Sequence, residues 1–108
     1  MTTEGIAKGE EMIAVFMGGV KDGMSSIHYY FPNQGGYKMN LEYSTSYKEL
    51  MPSIYKCLKI CHEEMLDEWE RGFSEAFLAC SIFSLFKTTV SFITWYNLLN
   101  QSNEILHP

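Results

Sequence analysis

Basic residues are scarce in this chain: Lys and Arg number 8 against 13 Asp and Glu, leaving a formal charge of −5. Binding to a phosphate backbone depends on neutralisation by Lys and Arg, so no nucleic-acid partner is expected. Cysteine is rare too, and three is an odd number, which offers no disulfide framework. The stretch Met1-Thr2-Thr3-Glu4-Gly5-Ile6 lacks the basic region and apolar run of a secretory signal. Together these absences predict a reducing, cytoplasmic setting. Catalytic motifs are missing as well: there is no Ser/His/Asp spacing, phosphate-cradling glycine loop or H-E-x-x-H. Gly18-Gly19 and Gly35-Gly36 are isolated pairs that read as a helix stop and a turn. No repeat, low-complexity tract or long linker interrupts the 108 residues. The expectation is one domain over 1–108, with an ordered core over roughly 4–100 and a frayed tail at 102–108.

What is abundant is apolar and aromatic side chain, 46% and 15% of the residues, enough to fill a core. It is concentrated at the end. From Ala76 to Gln101 the only charged residue is Lys87. Ile82, Leu85, Phe86, Val90, Phe92, Ile93, Tyr96 and Leu99 recur at three- and four-residue steps, while Ser84, Lys87, Thr88, Ser91 and Thr94 follow the same steps opposite. That pattern is an amphipathic helix with a wide buried face. The segment is long enough to span a bilayer, with Trp95 and Tyr96 where an aromatic belt belongs. Lys87 near its middle opposes insertion by about 3 kcal/mol. A helix folded back over the rest of the domain is therefore expected, with membrane association through it as an alternative.

Elsewhere the pattern alternates between helix and strand. Thr3 is placed to cap a first helix whose stripe is Ala7, Met12, Ile13, Phe16 and Met17, ended by Gly18-Gly19. Val20 to Ser25 reads as a loop. Ile27, Tyr29 and Phe31 alternate with His28 and Tyr30, and Tyr37, Met39, Leu41 and Tyr43 alternate with Lys38, Asn40 and Glu42. The turn formers Pro32-Asn33-Gln34-Gly35-Gly36 between them predict an antiparallel hairpin. Ser46 and Glu49 have capping-box spacing for a second helix. Its buried side is Leu50, Ile54, Cys57, Leu58, Cys61, Met65 and Trp69, and Pro52 either kinks it or becomes its first residue. Gly72 is expected to break the following run, and Ser74 and Ser81 are candidate caps. The fold class is α+β, a hairpin packed against three to four helices in the order α-β-β-α-α-α.

Three segments also carry a resemblance. Glu11-Met12-Ile13-Ala14-Val15-Phe16-Met17-Gly18-Gly19, then Leu41-Glu42-Tyr43-Ser44-Thr45-Ser46-Tyr47-Lys48-Glu49-Leu50-Met51-Pro52, then Val90-Ser91-Phe92-Ile93-Thr94-Trp95-Tyr96-Asn97 occur in that order. This resembles the "FMGG … LMP … FIxWYN" pattern of a family of small proteins encoded by gut Bacteroidetes and their phages or mobile elements. The family is generally uncharacterised, and some members have an α/β sandwich shape. The resemblance implies a phage-type protein with no catalytic residues to transfer. It also implies a strand near 62–80, where Glu63 to Arg71 here reads as helix.

Few residues qualify for chemistry. Cys57 and Cys61 share a helix face and His62 follows, but structural zinc needs four ligands and His62 points about 100° away. Cys80 is distant in sequence, so small core thiols are the expected reading and no metal or cofactor is assigned. His28 and Tyr30 lie on the outward face of the first strand with no nucleophile or carboxylate motif beside them. Trp95 either flanks the core or stands in a partner patch. Glu63, Glu64, Asp67, Glu68 and Glu70 form an acidic run, read as a solvated helix end. The leading expectation is a non-catalytic accessory protein that contacts an unknown protein partner, with His28, Tyr30 and Trp95 as candidate contact residues. Alternatives are a ligand-binding or enzymatic module on the hairpin face, and pairing of hairpin edges into a homodimer.

Overall fold

The computed structural model describes residues 2–21, 29–32, 36–38 and 41–106. Helix α1 (Thr3–Phe16) leads into strands β1 (Val20–Lys21), β2 (Tyr29–Phe31) and β3 (Gly36–Lys38), then helices α2 (Tyr47–Glu63), α3 (Asp67–Leu78) and α4 (Ile82–Leu106). The antiparallel sheet has the order β1-β2-β3. The fold is thus the expected small α+β domain. The hairpin is β2–β3, and β1 adds a short strand where a loop was expected.

Helix ends explain most local differences. The cap of α1 is Thr2, not Thr3: its hydroxyl accepts from the Gly5 N–H at 3.0 Å. Ser46 does cap α2, accepting from the Glu49 N–H at 3.3 Å. Glu49 does not complete the capping box, because its carboxylate pairs with Lys38 on β3. Pro52 lies inside a helix that begins five residues earlier at Tyr47, so it is not the first residue. The predicted break at Gly72 is absent, since Gly72 and Ser74 both lie within α3. The chain breaks instead at Met65, which adopts a left-handed φ of 57° and is exposed. The Leu66 N–H then donates to the Cys61 carbonyl at 2.8 Å, a Schellman closure built without glycine. Segment 67–78 is helical, so no strand occupies it. Ser81 starts α4 as expected, its hydroxyl accepting from the Ser84 N–H. That helix runs past the expected end at Asn100 to Leu106.

Helix α4 is the axis of the domain. It packs along α1, α2 and α3, burying Leu85, Phe86, Phe92 and Ile93. Thr89 is buried on the same face, its hydroxyl donating to the Leu85 carbonyl at 2.8 Å. No helix among the described residues is long and apolar enough to cross a membrane. Helices α1 and α4 approach closely at Gly9, where a Cβ would stand 2.8 Å from the Phe86 ring.

The sheet is anchored at the end of α1. A Cβ on Gly19 would stand 2.8 Å from both the Phe31 ring and the Ala14 carbonyl, so the strand ring occupies the space glycine leaves. Tyr29 and Phe31 are buried and Tyr30 is exposed, as the alternation predicted. The second strand differs. Lys38 lies opposite Tyr29, which puts it on the covered face, and its ammonium sits 5.5 Å over the Phe31 ring. Lys38 was expected on the outward face, so its placement differs from the alternation read in sequence.

Met39 and Asn40 lie outside the described residues, and Tyr43, expected in the same strand, stands in a turn that Glu10 holds. This carboxylate, on α1 and only 7% exposed, accepts from the N–H groups of Tyr43 at 2.8 Å and Ser44 at 3.0 Å. The Ser44 hydroxyl donates to it as well, at 2.5 Å. Backbone donors satisfied by a side chain are not available to a sheet ladder. Replacing Glu10 by Gln puts an amide against those donors and should cost about 2 kcal/mol of stability. The check is the urea midpoint, and a loss under about 0.5 kcal/mol would show the turn to be self-supporting.

Candidate functional site

Helices α3 and α4 form an antiparallel pair with an open groove along their outer seam. Sequence puts Trp69 and Phe73 one helical turn apart on α3. Phe92 on α4 is fully buried between them and is the hub of an aromatic cluster. Its ring centroid lies 5.3 Å from Trp69 in a T-shaped contact, 6.0 Å from Phe73, and 5.7 Å from Tyr96, stacked within 12°. Trp95 leans on the same ring at 6.1 Å and on Trp69 at 5.6 Å. Edge and offset contacts of this kind add about 0.5–1.5 kcal/mol each beyond burial. The cluster fixes one end of the groove.

From that end the groove, about 680 Å³, runs past Gly72, with Glu68 and Glu75 on one wall and Lys87, Thr88 and Ser91 on the other. It continues toward Phe83 over Ala76 and Ala79. The walls differ chemically. Lys87 lies 5.6 Å over the Phe83 ring, and among the described residues it makes no ion pair with either glutamate. Thr88 donates its hydroxyl to the Ser84 carbonyl at 2.9 Å, presenting its methyl and an acceptor oxygen. At the far end the α3–α4 turn exposes Phe77, Leu78 and Phe83, at 39%, 82% and 37%. Asp67, Glu68 and Glu70 crowd the first turn of α3, where the helix dipole favours them.

Of the candidate contact residues, Trp95 is half-buried and lines this groove. Tyr30 is 37% exposed on β2, opposite Val20 of β1, and does not line this groove. His28 lies outside the described residues. The groove itself was missed, because the position that opens it, Gly72, reads in sequence as a helix breaker. Among the described residues the two sheet edges, β1 and β3, carry Lys21 and Lys38, and lysine blunts an edge against pairing.

No group of three His, Cys, Asp or Glu among the described residues is arranged to hold a metal. Cys57 and Cys61 are core residues, while Cys80 is exposed in the turn with a left-handed φ of 54°. His62, the one histidine among the described residues, is exposed on α2. Burial, reinforced by the neighbouring Cys61 sulfur, pushes the Cys57 thiol up from the ordinary 9.0 to about 12. Burial and then the Glu70 charge raise Cys61 to about 11. No protein-family model, curated protein or solved structure matches the chain.

The thiols give a direct test. Only Cys80 should react with an aromatic disulfide reagent in the native state, and all three after denaturation. The native fold favours the protonated forms of Cys57 and Cys61. Their contribution is thus whole below pH 9 and is lost as pH rises through about 11 to 12. Rapid native labelling of more than one thiol would contradict the burial.

Proposed function

We propose that the chain is a non-catalytic interaction protein that holds an amphipathic helix of a protein partner along the α3–α4 groove. The observation that carries this reading is the shape of the seam. Gly72 leaves its floor open, with no atom within 4 Å of where a Cβ would be, between Trp69 and Trp95 at one end and Phe83 at the other. Helix-in-groove recognition uses apolar anchors at three- and four-residue steps. Trp69, Trp95 and Phe83 supply the complementary surface, and tryptophan is enriched at binding hot spots. Glu68 and Glu75 have no cation paired to them among the described residues, so the favoured partner helix is flanked by Lys or Arg. The exposed Phe77 and Leu78 extend the contact toward the roughly 800 Å² per partner of a standard interface. A phage or mobile-element setting, implied by the sequence resemblance, belongs to the same proposal.

Gly72→Leu separates binding from folding. Leucine at an interior helix position gains about 0.8 kcal/mol over glycine, and here its side chain enters the groove rather than the core. The variant should melt no lower than wild type yet lose binding of basic amphipathic helical peptides, followed by tryptophan emission. The double variant Glu68→Lys, Glu75→Lys should reverse the preference to acidic peptides. Unchanged peptide binding by Gly72→Leu would refute the groove as the docking surface.

A further inference from the structure

A second cavity, about 610 Å³, lies between α1, the first two strands and the C-terminal half of α4. Its residue on α4 is Asn97, two positions and so about 200° around the helix from Trp95. It is therefore separate from the α3–α4 groove, and its argument does not depend on the reading of that groove. The cavity is built on one face of α1, where Lys8, Met12 and Val15 follow at four- and three-residue steps. Met12 and Val15 make its floor apolar, and Val15 is 62% exposed, a large aliphatic surface left open at the mouth.

The charge around this floor runs against the rest of the molecule. Lys8 and Lys21 both line it, in a chain whose formal charge is −5. Lys8 has no ion-pair partner among the described residues. Among the described residues Lys21 reaches Glu11, at 3.9 Å with both side chains 49% exposed, a loose surface pair of small energetic value. Of the described residues that line the cavity, two are cations and one is a carboxylate, an excess of one positive charge. The Tyr29 phenol stands at the same cavity, and burial followed by the Glu11 charge raises its pKa above the ordinary 10.0. It remains a neutral hydrogen-bond donor at physiological pH. The Asn97 amide supplies a second donor.

We infer that this cavity binds a small amphipathic carboxylate, its apolar body on Met12 and Val15 and its carboxylate between Lys8 and Lys21. The volume falls within the roughly 300–1,000 Å³ of small-molecule sites, and an apolar lining with few convergent polar groups is their usual character. A monoanion matches the single excess charge, whereas a dianionic phosphate would be opposed by Glu11.

Decanoate and decanol, which share a chain and differ in charge, test this by amide NMR titration of the full-length protein. Decanoate should shift Lys8, Val15 and Lys21 saturably, and decanol should bind at least about tenfold more weakly, the ratio that 1.4 kcal/mol of charge contact gives. The exposed double variant Lys8→Ala, Lys21→Ala should weaken decanoate by about tenfold and leave decanol unchanged. Glu11→Gln should tighten decanoate severalfold by removing the opposing charge. Equal binding of the two probes, weakening by Glu11→Gln, shifts centred elsewhere, or no saturable shift at millimolar decanoate would each overturn the assignment.

Discussion

A single buried carboxylate decides how the two halves of this domain meet. Glu10 leaves water to accept from two backbone N–H groups and a hydroxyl more than thirty residues away. Desolvating a carboxylate is costly unless its lone pairs are satisfied, and here the satisfying donors all belong to one turn. That turn leads into α2, because the Ser46 N–H that follows it donates to the Glu42 carbonyl at 2.9 Å. Fixing the turn on α1 sets where α2 begins, and the Lys38–Glu49 pair then ties β3 to the first turn of that helix. A second tie works at the C-terminal end of α1. Lys56 on α2 donates to the Phe16 carbonyl and lies 4.3 Å over the Phe16 ring, meeting the negative end of the α1 dipole with a cation. The middle and the C-terminal end of α1 are thus held by the turn that leads into α2 and by α2 itself.

Against that frame α4 has little freedom. The absence of side chains at Gly9 and Gly19 lets aromatic rings of α4 and β2 reach the α1 backbone. Phe86 and Phe31 fill those spaces and are themselves fully buried. The opposite side of α4 receives α3 through the Phe92 cluster. The two cavities therefore lie on different sides of one rigid helix, each bounded by a different partner helix. Their chemistry differs for the same reason: α3 brings carboxylates to one seam, and α1 with β1 brings lysines to the other.

Much of this was legible in the sequence. The apolar periodicity from Ile82 onward located α4 and its buried Leu85, Phe86, Phe92 and Ile93, because three- and four-residue steps put those side chains on one helix face. Tyr29 and Phe31 were legible from alternation, and Ser46 from its spacing to Glu49. What failed did so for identifiable causes. Met65 and Cys80 end their helices in left-handed backbone without glycine, so the expected stop at Gly72 was misplaced. Glu10 looks like any surface acid of an amphipathic helix, since its partners lie more than thirty residues downstream. Lys38 reads in sequence as an outward residue of the alternating run Tyr37 to Tyr43, but its register opposite Tyr29 puts it on the covered face. The groove and the lysine-rimmed cavity are tertiary features with no local signal at all.

Gly72 separates structural necessity from something else. At Gly9 and Gly19 an added Cβ would meet an aromatic ring at 2.8 Å, so the core itself demands glycine there. At Gly72 nothing lies within 4 Å, and no left-handed φ requires the residue. Glycine in a helix interior forfeits about 1 kcal/mol against alanine, in a fold whose whole margin is of order 5–15 kcal/mol. Neither packing nor backbone geometry recovers that loss. What the residue does provide is depth midway along the α3–α4 seam, between the paired tryptophans and Phe83. That open channel is the space the proposed partner helix would occupy.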